Sequence, residues 1–230
     1  MKTLITKTIT VSQYTKPITL EYSDNDTFFG DTDVTIYDDY KISLVLTDNC
    51  GAVIGDKLFF PQRGDMMIFR PSEVHFGRFP KSGNYTFLSF FIPVDFFKNA
   101  FPGNEHILSP FLDNSPEKTN HLRLPQEEKI RLIDLADSLL ALMNQDTDQA
   151  CFDILAFSKL VEALYICHKC YPLQKNLPED GNVPPLITKT IQKIDAHFPA
   201  FVGLPALAAH CGCSITYLTQ TFRLYTGKSI

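Results

Sequence analysis

The sequence predicts an α+β protein, with strands in its first part and helices in the rest. Three observations predict it. Residues 1–92 break into short β-branched and aromatic runs separated by turn clusters. Residues 126–171 switch to an apolar period near 3.6. Beyond a proline-rich stretch, residues 186–230 hold three short helical segments, the last two joined at a glycine. The expected division is a domain at 1–171, a linker at 172–185 and a helical unit at 186–230.

Candidate strands fall at 4–11, 17–22, 33–37, 41–47, 57–60, 66–70 and 85–92. Polar and glycine clusters at 23–26, 48–51, 63–65 and 82–84 supply the turns. Many short strands at close spacing predict a sandwich or small barrel. Residues 93–100 have the composition for one or two helical turns, and Phe96, Phe97 and Phe101 are expected to cap the barrel's open end. The stretch 102–125 is rich in Pro, Asn and Ser and reads as loop.

A helix is predicted over 126–145. Glu127 and Glu128 suit its N-terminus, and Leu132, Leu135, Ala136, Leu139, Leu142 and Met143 make one stripe. A second, about 148–170, carries Phe152, Leu155, Phe157, Leu160, Val161 and Leu164 around more than one face. That implies burial on two sides, by the barrel and by a second copy of the chain. The plainer reading is a hairpin buried only against its own barrel. Residues 172–185 contain four prolines and a glycine and read as linker. A helix over 186–197 follows, with Ile187, Ile191 and Ile194 on one side.

The last segment is LPALAAHCGCSITYLTQTFRLYTG, residues 204–227. Leu207 and Ala208 give the first helix its buried face, and Gly212 suits the left-handed residue that stops it. Ser214 is the expected N-cap of the second helix, in which Leu218 and Phe222 point inward. Two short helices around a glycine turn match both a plain helical hairpin and the DNA-binding helix-turn-helix.

Composition limits what else the chain can be. At 44% hydrophobic residues it can fill a sizeable core. It has no apolar run long enough for a membrane span, and its N-terminus lacks a signal peptide's apolar core, so a cytoplasmic protein is expected. Net charge is −5. Residues 186–230 nevertheless carry four basic residues against one acidic, a net of +3, which leaves −8 on the rest. Without a secretory signal the six cysteines are expected as free thiols. Cys167 and Cys170 form a CxxC that Cys211 and Cys213 are able to join at a zinc. Neither pair has knuckle context, and core packing accounts for them better.

The segment 204–230 resembles the first helix-turn-helix of the AraC/XylS family of bacterial transcription regulators. The matching features are Leu207-Ala208, Gly212, Ser214, Tyr217-Leu218, Phe222-Arg223 and Gly227-Lys228-Ser229. The resemblance implies promoter DNA as partner, with Thr216, Thr219 and Gln220 reading bases and Ser214 capping the reading helix. Gln suits adenine and a Thr methyl suits thymine. Arg223 and Lys228 suit phosphates, and Tyr217 is open between inward packing and a phosphate contact. The family carries two such motifs joined by a long helix. This chain ends at Ile230, where that helix would begin, so weak DNA binding is expected from the half present.

GDMMIFRPSEVH, residues 64–75, resembles the second conserved stretch of the cupin barrel as found in AraC-type sensor domains. YKISLVL, residues 40–46, resembles the strand after the first cupin motif. The resemblance implies an N-terminal cupin-like barrel followed by a helical hairpin that forms the dimer interface. Metal-binding cupins place two histidines and a glutamate in the first motif and a histidine in the second. Here those positions hold Thr35, Tyr37, Lys41 and His75, so no metal or other cofactor is expected. Tyr37, Lys41 and His75, with Arg70, are candidate ligands of a small polar or anionic effector. The other reading is a packed barrel in which His75 bonds a backbone carbonyl.

The expected function is a ligand-responsive, sequence-specific DNA-binding regulator, homodimeric through 126–171, with no catalytic residues and no membrane partner. Two other classes stay open: a cupin-fold enzyme, and a truncated interaction protein that senses and dimerises without productive DNA binding.

Overall fold

The computed structural model describes residues 2–25, 35–48, 50–55, 57–78, 85–115, 117–176, 184–197, 203–226 and 229–230. Among these residues, two antiparallel sheets and seven α-helices make an α+β fold. Strands β1 (Lys2–Ile9), β2 (Ile18–Asn25), β3 (Tyr40–Val45), β6 (Met66–Phe69), β8 (Tyr85–Ile92) and β9 (His121–Leu122) form a six-stranded sheet ordered β1-β2-β8-β3-β6-β9. The second sheet is β4 (Gly51–Ile54), β5 (Lys57–Phe59) and β7 (His75–Arg78), ordered β5-β4-β7. Among the described residues the two sheets do not join into a closed barrel.

The larger sheet is buried on both faces, and strand alternation decides which residue goes where. Ile42 and Leu44, Met66 and Ile68, and Leu88, Phe90 and Ile92 share a core with α3 (Gln126–Asn144) and α4 (Gln149–Cys170). The intervening residues face the second sheet. There Val45, Met67 and Phe69 pack with Cys50, Ile54 and Phe59. The stronger apolar face is therefore the outer one, covered by the helical hairpin.

α3 buries Leu132, Leu135, Ala136, Leu139 and Met143, the predicted stripe with Leu142 at its edge. α4 is capped by Asp148, whose side chain accepts from the Cys151 N–H at 3.2 Å. Buried Glu128 joins the two helices, accepting from Lys169 at 2.7 Å and Arg131 at 3.1 Å. Buried Asp65 fixes β6 to the start of α3, bound by His121 at 3.0 Å and Lys129 at 2.8 Å. Burial pushes its pKa up, but these bonds and the Gln62 N–H outweigh that and hold it below the usual carboxylate value. Beside it Gly64 has φ +85°, and a Cβ there would lie 2.9 Å from Lys129 Cβ, so only glycine fits.

Several expectations are corrected. The loop at 102–125 contains a 3-10 turn (Glu105–Leu108), α2 (Ser109–Leu112) and β9. Strands β4, β7 and β9 are additional to those predicted. The candidate strand at 33–37 falls partly outside the described residues, and its Thr35 makes an isolated bridge with His75. Phe96 and Phe97, on or beside α1 (Phe96–Ala100), and Phe101 pack in the helix-covered core. Phe101 stacks on Phe157 of α4 at 5.6 Å, so these rings sit under the hairpin instead of capping a barrel end. Residues 172–176 of the expected linker continue α4 as a 3-10 helix (Tyr171–Asn176), with Gln174 bonded to Cys170 and Arg123; 177–183 lie outside the described residues.

The C-terminal unit comprises α5 (Pro185–His197), α6 (Leu204–Cys211) and α7 (Ile215–Thr226). Leu207, Ala208 and Leu218 form its own small core, with Leu186, Ile194, Cys211 and Cys213 packed against it. A second cluster joins it to the body: Ile187, Ile191 and Phe222 bury against Val53, Leu58 and Phe76 of the second sheet. Thus Ile194 is split from Ile187 and Ile191, and Phe222 faces the sheet instead of α6. α5 is a shared helix, with one face on each neighbour.

Candidate ligand site and nucleic-acid interface

Between the sheets, four of the residues singled out in the sequence, Thr35, Tyr37, Lys41 and His75, come together. Thr35 bridges His75, and the Tyr37 and His75 rings lie 5.0 Å apart. Lys41, on β3, places Nζ 4.8 Å from the Tyr37 ring centre, 5.2 Å from Phe69 and 5.0 Å from Phe91. Its Nζ donates to Tyr37 Oη at 3.5 Å. The ammonium sits in an aromatic cage and forms no ion pair among the described residues. Burial, opposed by attraction to Glu21, pulls its pKa down to about 8.

His75 is 7% exposed. Its Nδ1 lies 2.9 Å from the Glu73 carbonyl, which only accepts, so the proton is on Nδ1 and the Nε2 lone pair is open. Burial lowers its pKa to about 4; the Glu73 carbonyl opposes this and Lys41 adds to it. At neutral pH the cluster thus holds one caged cation and one neutral imidazole.

Arg70 is not part of this cluster. It follows β6 on the same parity as Met66 and Ile68 and points toward the helices. Its Nη2 donates to the Pro110 carbonyl at 2.7 Å, the Thr119 carbonyl at 3.2 Å and Tyr171 Oη at 3.1 Å, while Nη1 pairs with Glu73 at 3.4 Å. It ties the strand end to α2 and to the end of α4. The residues that do share the inner face with Lys41 include Ser43 and Ser89, whose hydroxyls meet at 2.8 Å, with Glu21 paired to Ser89 in register. Polar residues alternating with large apolar ones at 41–44 and 88–90 are the signal that marks them.

These residues do not suit a divalent metal. They offer one free imidazole nitrogen beside a fixed ammonium, and Thr and Lys are poor substitutes for carboxylate and imidazole. Cys167 and Cys170 are buried in the hairpin core, while Cys211 and Cys213 pack beside Leu207 and Leu218. All four serve packing in two separate clusters.

In the C-terminal unit Gly212 is left-handed, at φ 68° and ψ 32°. Its N–H donates to the Ala209 carbonyl and the Cys213 N–H to the Ala208 carbonyl, each at 3.1 Å, completing a Schellman stop. Ser214 Oγ accepts from the Tyr217 N–H at 3.1 Å and caps α7. Thr216, Gln220 and Arg223, spaced four and three apart, are exposed along one stripe of α7. Tyr217 is 58% exposed beside them, which turns it outward. Thr219 is half-buried, and its hydroxyl donates back to the Ile215 and Thr216 carbonyls, leaving its methyl as the outward group. Lys228 lies outside the described residues. No helix among the described residues is long and apolar enough to cross a membrane.

No protein-family profile matches the chain. No curated protein matches it either. Among solved structures it is similar to the AraC-like transcriptional activator CuxR, at 10% identity and TM-score 0.39, over 90% of this chain and 70% of that one. It is also similar to a cupin superfamily protein from Desulfitobacterium hafniense, at 10% identity and TM-score 0.31, over 40% of this chain and 78% of that one. A conserved-barrel cupin from Salinispora arenicola gives 12% identity and TM-score 0.33 over 40% and 78%. Likenesses this distant assign no activity to the chain.

Proposed function

We propose that the chain is a ligand-responsive, sequence-specific DNA-binding transcription regulator of AraC type, and not an enzyme. One observation carries the reading: α6 and α7 form a helix-turn-helix whose second helix leaves Thr216, Gln220 and Arg223 uncovered along one stripe. Such a helix suits the major groove, Gln220 reading adenine and Arg223 holding phosphate. The polar cluster of Tyr37, Lys41 and His75 is the effector site in this reading, a small polar or anionic molecule being drawn to the caged ammonium.

Dimerisation through the hairpin belongs to the same proposal. α4 exposes Ile154 at 71%, Val161 at 37% and Tyr165 at 52%, at helical spacing on its outer side. Ile154→Asp with Tyr165→Asp converts the dimer to monomer in sedimentation; unchanged mass after the double substitution excludes α4 as the interface.

Selection from a random DNA library, followed by anisotropy titration at several salt concentrations, tests the DNA reading. Gln220→Ala relaxes base preference at one position. Lys228→Ala weakens binding to every sequence and lowers the salt slope by about 1. Equal loss from both substitutions on every operator variant overturns the base-reading role, and failure to enrich any sequence overturns the regulator.

A further inference from the structure

Lys41 is a basic amine that the fold surrounds with rings. The Tyr37, Phe69 and Phe91 ring centres lie 4.8, 5.2 and 5.0 Å from its Nζ. The register of the larger sheet explains the setting. Lys41 stands between Phe69 on β6 and Phe91 on β8. The next pair along the same face is Ser43 and Ser89, with Glu21 opposite Ser89 on β2. Glu21 is therefore two strands away, about 10 Å of sheet, and attracts the amine without pairing with it. Lys41, Tyr37 and Phe91 are each only half-buried, so the cage is reached from solvent.

An amine in this setting is a nucleophile. Burial lowers its pKa to about 8, opposed only by Glu21, so a sizeable share is uncharged near neutral pH. A desolvated lysine amine condenses with carbonyl compounds. The neighbours suit the parts of that reaction. Tyr37 Oη is a hydrogen-bond partner of Nζ at 3.5 Å, and burial and Glu21 raise its pKa, which keeps the phenol protonated. His75 rests against the Tyr37 and Phe69 rings with its Nε2 lone pair open. An iminium carries the same positive charge as an ammonium, so the three rings that hold one hold the other.

We propose that Lys41 captures a small apolar aldehyde as a reversible imine between the two sheets. The Nζ lone pair attacks the carbonyl carbon, and the carbonyl π pair moves to the oxygen. Both amine protons end on that oxygen, passed on by Tyr37 Oη and His75 Nε2. Water then leaves as the C=N bond forms. Amine and aldehyde thus give imine and one water, with no change of oxidation state and no further reactant. The Tyr37, Phe69 and Phe91 rings take the aldehyde's apolar body. Hydrolysis releases it, so occupancy follows the concentration of free aldehyde. The inference rests on reading this cluster as the effector site, and it gives the effector a chemical class and a covalent mode of retention.

Reductive trapping tests it. The chain is mixed with one equivalent of benzaldehyde and sodium cyanoborohydride, which reduces an imine to a stable secondary amine. Peptide mapping should find the benzyl group on Lys41 at least tenfold more than on any other lysine, and unfolding in urea beforehand should abolish that preference. Tyr37→Phe should slow labelling of Lys41 at least fivefold with the circular dichroism spectrum unchanged. Label spread evenly over the lysines of the folded chain overturns the proposal. So does a rate at Lys41 no different from that in urea. A thermal-shift panel of small alcohols and carboxylates, which form no imine, separates this failure from failure of the effector reading. Shifts seen in the wild type and lost in Lys41→Met, without trapping, overturn the covalent step and keep the effector site. Neither trapping nor shifts removes both.

Discussion

The body and the C-terminal unit hold themselves together differently. The body buries a continuous core of sheet and hairpin residues, from Ile9 to Tyr171, plus a second core between its sheets. Among its described residues, the C-terminal unit has a small cluster of buried apolar residues of its own, Leu207, Ala208 and Leu218. Its other apolar face, Ile187, Ile191 and Phe222, is buried only because the body is there. The second sheet thus supplies the cover for the face of α5 and α7 that Leu207, Ala208 and Leu218 leave open. The lesson is that its orientation depends on the sheet carrying β7, while its outer stripe stays open. A change in this contact would re-aim α7 without covering it, since Thr216, Gln220 and Arg223 are exposed among the described residues.

The sharpest way to break this comparison is a pair of core truncations. Leu160→Ala, in the hairpin core, should cost about 2–5 kcal/mol and lower the main melting transition. Phe222→Ala should cost about 3–5 kcal/mol, but within the C-terminal unit, giving early release of α5–α7 while the body melts near its original temperature. If both lower one shared transition equally, the two regions are a single cooperative unit.

A smaller effect tests the polar cluster inside the body. The folded Lys41 pKa of about 8 lies below the ordinary 10.5, so the unfolded chain binds the extra proton between these values. Stability from this site therefore rises as pH increases from 8 to 10.5. Lys41→Met should stabilise the protein by about 1–3 kcal/mol at pH 7, with the gain shrinking across that window. His75 is also depressed, to about 4 from 6.5, so stability falls as pH drops from 6.5 to 4 and is flat below. His75→Asn should flatten the acid limb alone. Denaturant titrations across pH measure both, and an unchanged acid slope in His75→Asn would place the titration elsewhere.

The smallest effect concerns Ser72, the one non-glycine residue with positive φ among those described, at 63°. Ser72→Gly should gain about 0.5 kcal/mol, the relief of left-handed strain less the added flexibility of the unfolded chain. A loss on substitution would show that the Ser side chain stabilises the turn.

Much of this was legible in sequence because it follows local periodicity. The helices near 126, 149 and 185, the Gly212 stop and the Ser214 cap depend on neighbours within a few residues. What was not legible depends on which face of a sheet another element covers. The alternation of β3 separates Lys41 from Ile42, but only the hairpin's position makes the apolar side the outer one. For that reason sequence alone groups Arg70 with His75, although its parity belongs to Ile68. Strands β4 and β7 are four residues each and take their pairing from one another, so neither announces itself alone. Phe222 reads as core in any helix-turn-helix, and only the packed sheet decides whose core.

Six consecutive residues, Arg70 to His75, reach three separate places. Arg70 anchors to α2 and Tyr171, Glu73 and Val74 line a cavity beside α5, and His75 enters the aromatic cage. Ser72 N–H also donates to the Tyr37 carbonyl at 2.8 Å, fastening the turn to the cage. Because side chains on extended backbone alternate, adding or deleting one residue here would exchange Val74 with His75, putting an imidazole against α5 and an isopropyl group into the cage. The length of this hexapeptide is thus itself a constraint. Point substitutions within it can be graded and local, whereas any change of length would disconnect all three places at once.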